Sequence, residues 1–354
     1  MINRTIIRTR ALQVAYAFQH RELVPIKSVV EALELSLRET YELYLHLLGL
    51  LPDLSELQGE LLEARKRRHL ATDEDRNPNM RFAANSLAAK LRNCKQLEDY
   101  ASSATINWRS NDSFLRRLLD KILSTEAYTR YLESKDSEEA DTDFWVEVYR
   151  DIIFNDNEIA EELESHSLFW DNPLHIIEKY ECEELPSIEN LEEEISLIAQ
   201  EGRRRTIRAE FSPIEIAKDF VLKTLRKLKT SASADEILAP MYRDEADHRF
   251  AIDLISTTME NQGAYKQKLQ GHLINWDGER VADMDMLIMQ MAMAEIYEMD
   301  DIPMHISINE YVELSKNFSS PKSYSFINGV LDNLAQNRPS KKQPVETTQK
   351  NSEE

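Results

Sequence analysis

The chain has 354 residues, 42% of them apolar and 30% charged, with a formal net charge of −21. That length and apolar content supply cores for two or three domains, while seven glycines and eleven prolines are few for a turn-rich β architecture. No apolar run approaches the roughly 20 residues that span a bilayer, no secretory signal layout opens the sequence, and Cys94 and Cys182 stand in no metal-ligand spacing, so a reduced cytoplasmic protein without disulfides, zinc or cofactor is expected.

The predicted elements are all helical. The first runs from about Asn3 to His20, with Asn3 as N-cap. Arg4 and Arg8 lie one turn apart on it and share a face. Pro25 opens a second helix whose apolar stripe, Val29 to Leu48, continues to about Leu51. A further helix from Asp53 ends in the basic run Arg65-Lys66-Arg67-Arg68-His69, and Asp73 to Met80 reads as a loop. Helices are expected over Phe82 to about Ala101 and Asn111 to Leu132, followed by an acidic linker, Ser134 to Asp143. Phe144 to Glu164 and Ser187 to Gln200 form acidic amphipathic helices, with Leu168-Phe169-Trp170 between them. Ser212-Pro213 signals the start of a helix that reaches about Leu228. After a link, Ser231 to Asp235, comes a shorter helix, and then helices over about Ala246 to Asn261, Tyr265 to Leu273, Val281 to Tyr297, His305 to Phe318 and Pro321 to Gln336. Arg338 to Glu354, apolar only at Val345, reads as a disordered tail.

The charge is unevenly placed. Residues 133–201 hold 23 acids and 3 bases, whereas the first 21 residues carry Arg4, Arg8, Arg10 and Arg21 and no acid. A basic end can therefore meet nucleic acid although the chain as a whole is acidic. The acidic block reads as a solvated face, as compensation for the clusters at 65–69 and 203–208, or as a docking surface for a basic partner.

Catalytic and metal-binding patterns are weak. Glu245-Ala246-Asp247-His248 has the Glu-x-x-His spacing of di-iron bundles, but such a site needs a second copy, and the sequence has none. The four residues therefore read as an exposed helix start. His166, His175 and His305 read as solvent-exposed or locally bonded. Asp283 and Asp285 diverge on a helix and form no shared carboxylate pair. Met284, Met286, Met289, Met291 and Met293 read as adaptable core filling. No phosphate-cradling glycine loop, dinucleotide fingerprint or nucleophile elbow is present.

The stretch with the most information lies near the C-terminus. Ile308-Asn309-Glu310-Tyr311-Val312-Glu313-Leu314-Ser315-Lys316-Asn317-Phe318 is followed by Ser323-Tyr324-Ser325-Phe326-Ile327-Asn328-Gly329-Val330-Leu331-Asp332. Gly329 inside a helix costs about 1 kcal/mol against alanine, so a close helix approach is expected there. Asn309 and Asn328 interrupt apolar stripes and are expected to bond backbone groups. Phe326, one turn after Ser323, is either a core phenylalanine or an aromatic that stacks on a nucleotide base.

This stretch resembles the NusB family of bacterial transcription antitermination factors. Arg280 to Pro303 resembles the helix and Asp-x-Pro connection that precede it in the family, and Arg8 to Tyr16 resembles the arginine-rich opening. The resemblance covers about residues 1–20 and 245–335. It implies an all-α, two-lobed helical bundle, here with a large helical insertion. The expected parts are N-terminal helices over 1–40, an acidic insertion over 41–230, a NusB-like bundle over 231–337 and a tail over 338–354.

The resemblance also implies a non-enzymatic protein. It would bind boxA-type single-stranded RNA of ribosomal leader transcripts together with NusE, a small-subunit ribosomal protein, and help RNA polymerase read through terminators. RNA contacts carry over to Arg4, Arg8 and Arg10, and to Lys322, Ser323 and Phe326. Partner contacts carry over to Tyr16 and Asp285. Thr5, Ile6 and Ile7 interrupt the family's run of arginines, while Lys322 stands where the family often has an acid. A helical scaffold that docks a basic partner through its acidic middle is the rival reading.

Overall fold

In the computed structural model, Asn3 starts α1 (Arg4–Phe18), its side chain accepting the Ile6 amide at 2.9 Å. The structure describes residues 1–21, 24–166, 170, 213–229, 233–272, 281–320 and 322–336. Among these every regular element is a helix, and an isolated bridge joins Ile2 to Tyr242. The protein is all-α. The described part divides into two compact units, residues 1–252 and 253–354.

The first unit is organised around α2 (Ile26–Lys66), 41 residues and therefore about 60 Å long. The sequence suggests a break at Pro52, yet the helix runs through it. A mid-helix proline removes one hydrogen bond and costs about 3 kcal/mol. Leu47, Leu48, Leu50, Leu51, Leu54 and Leu57 are all buried on either side of it, and each buried leucine contributes about 1.5–3 kcal/mol. Packing therefore outweighs the proline.

Around α2 lie α3 (Asp73–Arg76), α4 (Ser86–Arg92), α5 (Lys95–Ser103), α6 (Asp112–Leu123), α7 (Glu126–Glu133), α8 (Glu138–Val148) and α9 (Asn157–His166). Several predicted helices are divided. The one expected over 82–101 splits into α4, whose start Asn85 caps locally by accepting the Leu87 and Ala88 amides, and α5, and distant carboxylates add to both starts. Asp141 accepts the Ser86 amide at 2.8 Å, and Asp235 accepts the Lys95 amide at 2.8 Å. The one expected over 111–132 splits at Thr125, whose hydroxyl caps α7. The expected loop at 73–80 opens with α3, held by a reciprocal Thr72–Asp75 cap. The expected linker 134–143 is already helical from Glu138, and α8 passes through a wider turn, with Phe154 N–H donating to Tyr149 O, before α9.

Pro213 begins α10 (Pro213–Leu228), which packs along α2 and α8; the Thr224 and Tyr44 hydroxyls meet at 2.8 Å. The shorter helix expected after Asp235 is only a turn from Ala234 to Leu238, and Pro240 disfavours helical backbone at the residue before it. α11 (Glu245–Glu260) follows.

The second unit contains α12 (Gln262–His272), α13 (Asp283–Glu298), α14 (Met304–Phe318) and α15 (Ser323–Gln336). α13 is its core: Met286, Met289, Met291 and Met293 are buried, as core filling requires. Glu295 is buried too, accepting the Ser307 hydroxyl at 2.7 Å and the Tyr311 hydroxyl at 3.0 Å. The expected helix at 187–200, Arg203 to Arg205, His175, Cys182, Pro321 and the tail lie outside the described residues.

Candidate nucleic-acid interface

The opening arginines do not form an open basic face. Arg4 is half-buried; its Nε donates to Asp247 Oδ1 at 3.0 Å, and its guanidinium lies 4.9 Å from the Phe250 ring centroid. Arg8 is buried, 5.3 Å over the same ring. Arg10 is buried as well, donating to Gln13 Oε1 and Thr40 Oγ1, both at 3.0 Å. Arg4 and Arg8 thus share a face, as their spacing requires, and that face is turned onto α11. Tyr16 is half-buried.

The buried carboxylate that receives Arg4 was not singled out in the sequence. Asp247 also accepts from Arg243 at 3.3 Å. A signal existed: Asp247 occupies the same helical stripe as Phe250, Ala251 and Leu254, all buried, and an acid on such a stripe demands a cationic partner. His248, the other end of the Glu-x-x-His spacing, pairs with Glu34 at 3.1 Å through Nε2 and with Glu245 at 3.7 Å through Nδ1. Among the described residues no group of three metal-ligating side chains converges.

The second group of predicted residues meets at the connection between α14 and α15. Asp285, in the first turn of α13, is buried and accepts the hydroxyl of Ser323 at 2.7 Å and that of Ser319. Ser323 is itself buried, and its oxygen lies 3.0 Å from that of Ser319 and 2.7 Å from that of Ser320. Lys322 is exposed and Phe326 half-buried. Asp285 and Ser323, assigned to a protein and an RNA partner from the family pattern, are thus bonded to each other.

Two side chains missed in the sequence stand outward here. Tyr324 is 43% exposed, and Lys316 Nζ lies 5.7 Å from its ring centroid. The period offers a signal, because Ser323, Ile327, Val330, Leu331 and Leu334 are the buried stripe of α15 and Tyr324 falls beside it. Two expectations need correction. Gly329 is exposed and a Cβ there would meet nothing within 4 Å, so no close helix approach requires it. Asn328 donates to the Asp332 carboxylate at 2.9 Å, not to the backbone, and Asn309 is exposed.

The basic run at the end of α2 leaves Arg65, Arg67, Arg68 and His69 exposed beside Leu70, which is 87% exposed. Asp73, Glu74 and Asp75 follow within one turn, so the tip is of mixed charge. Elsewhere in the first unit, His46 is buried against Trp108, with ring centroids 4.3 Å apart. Its Nδ1 meets the Tyr100 hydroxyl at 3.2 Å and its Nε2 meets His166 Nδ1 at 3.2 Å. Burial, then the neighbouring His166, pushes the His46 pKa down to about 3. His166, expected exposed or locally bonded, is held between His46 and Glu162 Oε1, 2.9 Å away.

Residues 205–336 match the model of the NusB family. Among curated proteins, the chain is 33% identical over 119 residues to the transcription antitermination protein NusB of Bacillus velezensis, covering 33% of this chain and 92% of that protein. The NusB of Bacillus subtilis is 32% identical over 119 residues, with 33% of this chain and 91% of that protein covered. The NusB of Salinibacter ruber is 30% identical over 122 residues, with 33% and 76% covered. No solved structure matches the chain. Nearly whole relatives align with about a third of this chain, and the all-helical fold agrees with them: the chain belongs to the NusB family.

Proposed function

We propose that this protein is a cytoplasmic, non-enzymatic transcription antitermination factor. It binds boxA-type ribosomal leader RNA together with NusE and promotes read-through by RNA polymerase. Family membership supports the general role, since the relatives are antitermination proteins by name. The observation that carries the RNA reading is the α14–α15 connection, where Lys322 is exposed beside the start of α15. Lys322 and Phe326 are the contacts favoured there. Arg4, held by Asp247 and one-quarter exposed, is the opening arginine best able to reach phosphate. Arg8 and Arg10 act by fixing α1.

Filter binding of boxA RNA, with and without NusE, tests this reading. Retention of boxA RNA above a scrambled sequence, tightened by NusE and weakened by salt, is expected. Equal retention of the two RNAs removes the reading. Within this proposal residues 41–230 are an insertion, although its start falls inside α2, where Leu43 and Tyr44 are buried.

A further inference from the structure

The α14–α15 connection is tied at both ends to one group. Ser319 follows α14, Ser323 begins α15, and both hydroxyls donate to the buried carboxylate of Asp285. A carboxylate in the first turn of α13 is also favoured by the positive end of that helix. Its oxygens are spent inside the fold, and the side chain is only 6% exposed. A partner protein would have to break two charge-assisted hydrogen bonds to use it.

What the tie controls is on the outside. Lys322 and Tyr324 flank Ser323 and are exposed. Only Leu70 and Ile306 share with Tyr324 the standing of a large apolar side chain left exposed among the described residues. Its ring has the Lys316 ammonium 5.7 Å from its centroid, Lys316 being also paired with Glu313, and Lys322 is two residues away in sequence. An aromatic face beside an ammonium group suits a base of single-stranded nucleic acid, whose phosphate can meet the cation.

We infer that Tyr324 is a base-stacking contact for single-stranded RNA and that Asp285 is its positioning residue, acting through Ser319 and Ser323 instead of touching a partner protein. This rests on the RNA-binding reading above and changes the roles of two residues within it.

The test uses the full chain and boxA RNA carrying 2-aminopurine at each position in turn, with affinity and fluorescence measured together. Tyr324→Leu should lower affinity about 5- to 100-fold, the range of one stacked base, and abolish the fluorescence quench at one position. Tyr324→Phe should retain both. The salt slope should stay unchanged in Tyr324→Leu, because no phosphate contact is lost. Asp285→Asn and Ser323→Ala should each weaken RNA binding, the double variant no more than the weaker single, while NusE binding in the absence of RNA stays intact. Ser323→Ala retains the carboxylate and keeps the comparison open should Asp285→Asn fold poorly.

Wild-type affinity and quench in Tyr324→Leu would overturn the stacking assignment. Loss of NusE binding with RNA binding intact in Asp285→Asn would make Asp285 a partner contact after all. If the wild-type chain retains no boxA RNA, the RNA reading itself falls and the inference with it, a result distinct from either variant outcome.

Discussion

At the scale of single residues, the clearest lesson is that polar side chains with functional appearance are often held by one another. Arg10 bonds Gln13 and Thr40, Arg4 bonds Asp247, and Ser323 bonds Asp285. Gly329 is the opposite case. It lies within α15 with open space where a Cβ would stand, so Gly329→Ala should stabilise the protein by about 0.5–1 kcal/mol in chemical denaturation. A loss of stability would show that the glycine serves a contact the fold does not display. His46 gives a pH prediction. Its folded pKa of about 3 lies below the unfolded value near 6.5. The unfolded chain therefore takes up a proton first, and this contribution is complete above pH 6.5 and is lost as pH falls towards 3. Between pH 6.5 and 5 the loss is about 2 kcal/mol. Asp53, pushed up to about 6 by burial, works in the opposite sense over part of this range, so the useful measurement is a difference. The stability loss from pH 7 to pH 5, followed by chemical denaturation, should be smaller in His46→Asn than in wild type.

At the scale of elements, helix existence was legible and helix division was not. The starts of α1 and α10 follow local signals, Asn3 and Pro213. The start of α4 depends partly on Asp141, 55 residues away, which also accepts the Tyr131 hydroxyl at 2.7 Å. No local propensity can report such a cap. Asp141→Ala leaves the Ser86 amide without its acceptor and Tyr131 with only the longer bond to Arg81 O, at 3.3 Å, and should destabilise the first unit by about 2 kcal/mol. An unfolding free energy within about 0.5 kcal/mol of wild type, the usual surface effect, would mean that the cap is dispensable. Pro52 carries the same message in reverse, since buried leucines on both sides carry α2 through a residue that breaks helices in isolation.

At the scale of the whole molecule, net charge and function pull apart. A chain at −21 is repelled by RNA at long range, so binding has to come from few, well-placed cations. If Lys322 makes one phosphate contact, Lys322→Ala should flatten the plot of log affinity against log salt by about 0.7. An unchanged slope would place Lys322 off the RNA path. Residue 41 lies inside α2. Deleting residues 41–230 cuts α2 inside its buried stretch and exposes Leu37 and other core side chains of the remaining stub. A loss of function in such a deletion would report unfolding as readily as the loss of a partner.

The sequence by itself determined the helical class, the methionine core of α13 and the membership written into residues 308–332, because helical period and motif spacing are local properties of the chain. Only the tertiary structure decided which polar groups remain available: it turned Arg8 and Arg10 inward, gave the oxygens of Asp285 to Ser319 and Ser323, and left Tyr324 facing outward. The physical reason is that burying a charge or hydroxyl demands a partner at about 3 Å, and in a helical protein that partner usually comes from another helix, at a sequence distance no local pattern encodes.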